Sequence, residues 1–523
     1  MNAWPRTLAL VAAVTLVVTG CSSSKHQSVP PIPAAQLPPA PTGDVYRPPN
    51  PLPADRPGTL IWAAQVNGLP IQPTSRVWRI LYHSRTRTGR DVAVSGIAIV
   101  PTSAAPKGGR EIYAWGHGTV GQGDRCAPSK DILANLPPYG GEQLERGGVV
   151  VATDYDGLGT PGTPTYLDSV AEGRAMLDSV RAVAALPGVG SPGPVVLAGH
   201  SQGGTAALFA AQIAASYAPE LKVQATIAVA PGSELVDQAS FLRRSPYAGF
   251  ALLVADGLRA AYGLDPRTFL TADAVADLPR VERECSDATV KRWQGRDPTI
   301  ALPVSAIDPL AKLLTANSPG HAAIPTPVLL VTAGEDQQLP GDLADRLESR
   351  YCALGTAVDR DNYPSSDHDS VLDTSHADVI AWITDRLAGG PDPAACAAGG
   401  SAGPSSPAPA SSSAASSSAP SGVTGTWSGT WTSTKFTATS GDFTVVFAQH
   451  GATLTGRITI HPSCIPTGTL SGTMSGTVID FGAVHGSSRT VRFTGAVHGN
   501  TMAGRYQSDA GCGLDRGTWQ AHR

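Results

Sequence analysis

The sequence is poor in charge. Lys and Arg number 38 and Asp and Glu 42, 15% of 523 residues, and the formal net charge is −4. Nothing in that balance suits a phosphate backbone, so nucleic acid is not an expected partner. Neither C-x-x-C nor H-E-x-x-H occurs, and a zinc site is not expected. A phosphate-binding loop is weakened by one residue. Gly199 and Gly204 have the G-x-x-x-x-G spacing, but Thr205 stands where the lysine is required. The apolar stretch in the first twenty residues, MNAWPRTLALVAAVTLVVTG, is too short for a comfortable membrane span.

That stretch follows a short n-region with Arg6 and reads as a signal peptide. It ends in Val18-Thr19-Gly20-Cys21, with three serines after it. This resembles a bacterial lipobox, in which Cys21 becomes the lipid-modified first residue of the mature protein. The plain alternative is an ordinary signal peptide with a chance cysteine, but Cys21 falls where cleavage is expected. Residues 1–21 are therefore read as a lipoprotein signal peptide and 22–57 as a proline-rich tether. The expected location is the cell membrane, held by the lipid at Cys21, or release outside the cell. Without Cys21, six of the seven cysteines remain, an even number that suggests disulfides in an exported chain. Cys464–Cys512 is the first choice, followed by Cys126–Cys285 and Cys352–Cys396.

Residues 58–396 alternate strand-like and helix-like runs, the pattern of a mostly parallel sheet covered on both faces. Arg76–Tyr82 and Asp91–Val100 read as a hairpin. Glu111–Trp115, Gly148–Thr153, Val195–Gly199, Val223–Ala230 and Val328–Thr332 read as buried strands. Leu167, Val170, Leu177, Val180 and Ala184 form one stripe of an amphipathic helix between Leu167 and Leu186. Between Ala230 and Pro327 the pattern is helical, as in SFLRRSPYAGFALLVADGLRAAYGL. A connection of that length is functional or a small inserted domain, here a cap over about 232–325. Residues 397–421 are a Ser, Ala and Pro linker. From 422 to 523, segments such as DFTVVFAQHG and TLTGRITI alternate as in an antiparallel meander, a small barrel or sandwich. No catalytic constellation is visible there, and its expected role is to bind envelope or surface material.

The chemistry gathers around Ser201. VVLAGHSQGGTAALFAAQIAAS is a short apolar run, a glycine-dense turn and an alanine-rich segment: strand, turn, helix. Gly199-His200-Ser201-Gln202-Gly203 fits G-x-S-x-G, which places a nucleophilic serine at a sharp turn between a strand and a helix. In a chain with 57 glycines the motif can also be a structural turn. The elbow predicts an acid and then a histidine later in the chain. PVLLVTAGEDQQLP offers Asp336 just past a strand end, with Glu335 as its neighbour and second choice. Downstream, His368 lies in the loop SSDHDSVL and His376 starts a helix. Loops at strand ends carry chemistry more often than helices do, so His368 comes first. Asp367 and Asp369 flank it. Two N–H groups are needed for the developing oxyanion. Gln202 supplies one, and Thr119, in WGHGTVGQGDRCAPS, is assigned the other. His200 reads as a packing residue, and Asp154 and Asp156 as turn caps.

GHGT followed by CAPS, then DYDGLG, GHSQGG, AGEDQQLP and a histidine before AWITDRLAG resembles the secretory lipase family of α/β-hydrolases. The resemblance covers roughly residues 57 to 396. It implies a helical cap after the sixth strand, the triad Ser201, Asp336 and His368, and hydrolysis of acyl lipids with no metal or organic cofactor. An acyltransferase or a serine peptidase on the same scaffold, and a non-enzymatic envelope-binding lipoprotein, are the alternatives.

Overall fold

The computed structural model describes residues 37–69, 75–393, 422–433, 440–451, 453–461, 467–475, 478–485, 488–508 and 516–523. Cys21, Cys396, Cys464 and Cys512, and with them the lipobox and the Cys464–Cys512 pairing, lie outside these residues. Two compact units divide the chain, Met1–Pro404 and Ser405–Arg523.

The first unit has the α/β-hydrolase fold, built on one nine-stranded sheet. Its strands are β1 (Leu60–Val66), β2 (Ser75–Arg85), β3 (Asp91–Pro101), β4 (Arg110–Gly116), β5 (Val149–Thr153), β6 (Pro192–His200), β7 (Lys222–Val229), β8 (Val328–Ala333) and β9 (Val358–Tyr363). Their spatial order is β1-β2-β3-β5-β4-β6-β7-β8-β9. β1, β2 and β3 run as an antiparallel ribbon, and β4 through β9 are parallel. The parallel strands therefore present their carboxyl ends along one rim, where ligands of open α/β sheets bind. Helices α2 (Ser169–Val183), α3 (Gln202–Tyr217) and α9 (Gly341–Ala353) contribute to the apolar cluster on one face. Helices α1 (Gly140–Glu145), α10 (Val371–Thr374) and α11 (His376–Leu387) contribute to the other.

Between β7 and β8 the chain leaves the sheet for α4 (Leu235–Leu242), α5 (Phe250–Tyr262), α6 (Ala272–Val281), α7 (Ser286–Trp293) and α8 (Asp308–Ala316). These helices enclose a cluster of their own, with Leu252, Leu258, Phe269, Trp293 and Leu310 among its buried members. The insertion follows the seventh strand, not the sixth, because β1 was not read from the sequence. β9 was also missed; its sequence VDRDNY is polar, and it is the edge strand, paired with β8 alone. α2 differs from the expected amphipathic stripe. It is buried nearly all round, and its polar residues Glu172, Asp178 and Ser179 are inside. Asp178 is tied there by Ser84, Tyr217 and Arg181.

The second unit is a closed antiparallel barrel. Its strands are β10 (Gly425–Ser433), β11 (Ser440–His450), β12 (Thr453–His461), β13 (Thr467–Ser475), β14 (Val478–His485), β15 (Ser488–His498), β16 (Thr501–Ser508) and β17 (Arg516–His522). Trp431 opposite Trp519 belongs to the β10–β17 ladder that closes the ring. Along β10 and through Phe443–Phe447 of β11 every second residue points inward, and Trp427, Phe443, Phe447, Phe481, Phe493 and Trp519 fill the interior. The segments DFTVVFAQHG and TLTGRITI form β11 and β12. Among the described residues no helix is long and apolar enough to cross a membrane.

Candidate active site

β6 delivers Ser201 at its carboxyl end and α3 starts one residue later. Ser201 adopts φ 55° and ψ −119°, a backbone state that costs a non-glycine residue on the order of 1–3 kcal/mol. Main-chain bonds hold it there. Its N–H donates to the Val229 carbonyl at 2.9 Å, and its carbonyl accepts from the N–H of Thr205 at 3.2 Å. The two glycines of G-x-S-x-G are required by close packing. A Cβ on Gly199 would lie 2.1 Å from the Gly203 carbonyl oxygen, and one on Gly203 would lie 1.9 Å from that of Gly116. All those neighbours are backbone and cannot rotate aside. Gly203→Ala is expected to destabilise the hydrolase unit by about 3 kcal/mol or more. A urea unfolding midpoint equal to that of the wild type would contradict this.

Asp336 follows β8. Its Oδ1 accepts from the N–H groups of Gln338 at 2.8 Å and Leu339 at 2.9 Å, which fixes the carboxylate. Its Oδ2 accepts from His368 Nδ1 at 2.7 Å, and the two side chains are 3% and 7% exposed. With Nδ1 donating, the neutral ring presents a lone pair at Nε2. That atom is buried and has no hydrogen-bond partner. The neighbouring candidates are placed elsewhere. Glu335 is exposed, and only its N–H is engaged, on the Ser366 carbonyl. His376 Nε2 meets Glu142 Oε1 at 2.6 Å. Asp367 caps a turn with Ser370, whose hydrogen bond holds its carboxyl below the usual range. Burial raises Asp369.

His200 does more than pack. Its Nε2–H donates to the main-chain carbonyl of His368 at 2.8 Å, and the two rings lie 4.7 Å apart. Burial, with the nearby His368, pushes His200 down to about 3, so it is neutral and anchors the histidine loop beside Ser201. His200, His368 and Asp369 also bring potential ligand atoms within 4.8 Å of one another. A metal there would compete with the hydrogen bonds just described.

The loop after β4 lies against Ser201. A Cβ on Gly118 would sit 3.3 Å from His200 Nδ1 and 3.6 Å from Ser201 Cβ. Thr119 follows it. Its hydroxyl pairs with the Tyr166 hydroxyl at 2.9 Å, and its carbonyl accepts from Ser286 Oγ at 3.2 Å. Gln202 opens α3, so its N–H has no partner within the helix. Thr119, Ser201 and Gln202 share one cleft, which has about 530 Å³ of empty space including the solvent at its mouth. Leu235, Leu242, Phe250, Val254 and Leu314, all from the inserted helices, make the wall mostly apolar. Asp154, read as a turn cap, is a buried structural acceptor for Ser95 and Ser129.

A disulfide joins Cys126, at the end of this loop, to Cys285 between α6 and α7. Backbone bonds reinforce it: Ser286 N–H to the Val120 carbonyl, and the N–H groups of Gln122 and Gly123 to that of Glu284. Cys352 is disulfide-bonded as well, and its expected partner Cys396 is outside the described residues. The Cys126–Cys285 link spans 159 positions, and the loop-entropy relation assigns such a ring about 5 kcal/mol. The double variant Cys126→Ser, Cys285→Ser is expected to unfold at markedly lower temperature. Calorimetry checks this; an unchanged melting temperature would contradict the loop-entropy relation.

Comparison with known proteins agrees with the site's setting. Residues 141–394 match the family model described as secretory lipase. A Mycobacterium tuberculosis protein called "Probable inactive lipase" is 27% identical, the alignment covering 64% of this chain and 79% of that protein. A secreted triacylglycerol lipase of Malassezia globosa is 27% identical, over 53% of this chain and 62% of its own length. The crystal structure of Candida antarctica lipase A in its closed state is similar in fold, with a TM-score of 0.58 at 21% identity over 65% of this chain and 84% of that one.

Proposed function

Residues 141–394 carry secretory lipase sequence on an α/β-hydrolase fold, and from that premise we propose that this chain is an exported serine ester hydrolase acting on acyl lipids. Ser201 Oγ attacks the ester carbonyl and its proton passes to His368 Nε2. The tetrahedral oxyanion takes the N–H groups of Gln202 and Thr119. Collapse breaks the acyl–oxygen bond, and His368 returns the proton to the leaving alkoxide. Water, deprotonated by His368, then attacks the acyl-serine, releasing the acid and restoring Ser201. Asp336 holds the imidazole in the tautomer that can accept and stabilises the imidazolium.

The observation that carries the reading is the buried Asp336–His368 pair set beside the strained Ser201 elbow. In the free protein Nε2 has no partner, so Ser201 Oγ must swing onto it, a bond of the kind that tightens in the substrate complex. The apolar cleft wall favours an acyl chain over a charged substrate. In this reading Cys21 carries the lipid that holds the exported enzyme at the membrane, and the barrel is an accessory that binds envelope material.

The relative called inactive makes the decisive question one of residues rather than family. The test is labelling of the purified form starting after Cys21 with a fluorescent alkyl fluorophosphonate, alongside p-nitrophenyl esters of rising chain length. Stoichiometric labelling and turnover are expected. A folded protein that neither labels nor turns over would overturn the proposal and leave the binding-lipoprotein reading in its place.

A further inference from the structure

Behind the first turn of α3 lies a carboxyl group that none of these steps uses. Glu172 of α2 is 1% exposed. Its Oε1 accepts from Gln202 Nε2 at 2.7 Å and from the Leu167 N–H at 3.1 Å, and its Oε2 is buried without a partner. Leu167 is left-handed, with φ 64°, and lines the cleft next to Ser201. Tyr166, the residue before it, holds the Thr119 hydroxyl. One oxygen therefore grips both segments that bear the oxyanion donors, Gln202 directly and Thr119 through the bend at 166–167. Glu172 is not on the apolar stripe read from the sequence and stands in the first turn of α2.

We propose that Glu172 is the positioning residue of the oxyanion site, locking Gln202 and the Tyr166–Leu167 bend so that the Gln202 and Thr119 N–H groups converge. The proposal rests on the hydrolase reading above. It also fixes which charge state works. The titratable groups facing Glu172 are Tyr155 and Tyr166, Asp168 at the start of its own helix, and Asp154, Asp156 and His117 across a small shared cavity. Arg87 and Arg90 act on Asp168 and Asp156, not on Glu172. Burial pushes Glu172 up to about 8, against the opposing bonds from Gln202 and Leu167. Below that pH the group is a neutral acid whose carbonyl oxygen accepts both bonds. Above it a carboxylate sits behind the nucleophile's helix turn and repels the developing oxyanion. Stability follows the same proton. The folded state holds it while the unfolded chain releases it near 4.5, so stability falls as pH rises from about 4.5 through about 8 and levels off beyond.

The experiment uses the chain from Ser22 onward and compares wild type with Glu172→Gln and Glu172→Leu. It measures kcat and KM on a short p-nitrophenyl ester from pH 5.5 to 10, fluorophosphonate labelling, and thermal melts at pH 5 and pH 9. Glutamine keeps the acceptor and cannot ionise. Wild-type kcat should fall as pH passes about 8. Glu172→Gln should keep kcat within about threefold at pH 7, lose that alkaline fall, and melt above the wild type at pH 9 relative to pH 5. Glu172→Leu should lose kcat at least tenfold with KM changed less than twofold. An alkaline fall in Glu172→Gln identical to that of the wild type, or full kcat in Glu172→Leu, would overturn the proposal. If the leucine variant does not fold, the pH profile of the glutamine variant decides. An unlabelled, inactive wild type would instead sink the hydrolase reading itself.

Discussion

Ser201→Ala will abolish ester turnover, by a factor of roughly 10⁴ or more, and will remove covalent labelling altogether. The size follows from the covalent route, in which no other group can carry the acyl intermediate. The protein should remain folded. Alanine keeps the Cβ, and the bonds that hold position 201 at φ 55° are made by its main-chain N–H and carbonyl. Circular dichroism and a melting curve superimposable on the wild type, with labelling gone, is the expected result. Activity within a few-fold of wild type would mean that Ser201 is a turn residue after all. The same comparison separates this chain from its relative named as inactive, because it reads the nucleophile and not the family.

Asp336→Asn will reduce kcat by roughly 10³–10⁴ while leaving KM nearly unchanged. Asparagine can keep the Oδ1 contacts to Gln338 and Leu339, so the loop should stay in place. What changes is the group facing His368. An amide nitrogen donates where the carboxylate accepted, and the ring must turn its lone pair to Nδ1 and its proton to Nε2. The imidazole is then well placed and in the wrong tautomer to take a proton from Ser201. Glu335→Gln serves as the control, since that side chain is exposed and should change turnover less than twofold. Loss of activity in the control rather than in Asp336→Asn would move the acid by one residue.

The legible parts of the fold are those where sterics or chain order leave few choices. Ser201 stands out because the residues two positions away must be glycine for β6, α3 and β4 to touch, and that demand is written in the sequence. Asp336 and His368 follow from the position of strand ends, and in the structure they meet as a hydrogen-bonded pair. The Cys126–Cys285 pairing, a second choice on sequence grounds, is present as a disulfide. What escaped is of a different kind. Periodicity assigns polar residues to the outside, so it hid Glu172 and Asp178, which are buried with their own partners. An edge strand such as β9 carries little apolar signal. The contact from His200 to the backbone of His368 joins positions 168 apart in sequence and leaves no local mark.

The Cys126–Cys285 bond turns the middle of the hydrolase into a covalent circle. Residues 126 to 285 enter it, and so Ser201 and Glu172 lie on the circle while Asp336 and His368 lie on the tail that leaves it. A protease acting outside the cell that severs one peptide bond within this span opens the circle without releasing a fragment. Both pieces stay joined through sulfur, and Ser201 keeps its connection to the tail that carries His368. Within the export proposed above, a single nick in α4, α5 or α6, the inserted helices that lie inside this span, leaves one covalent molecule.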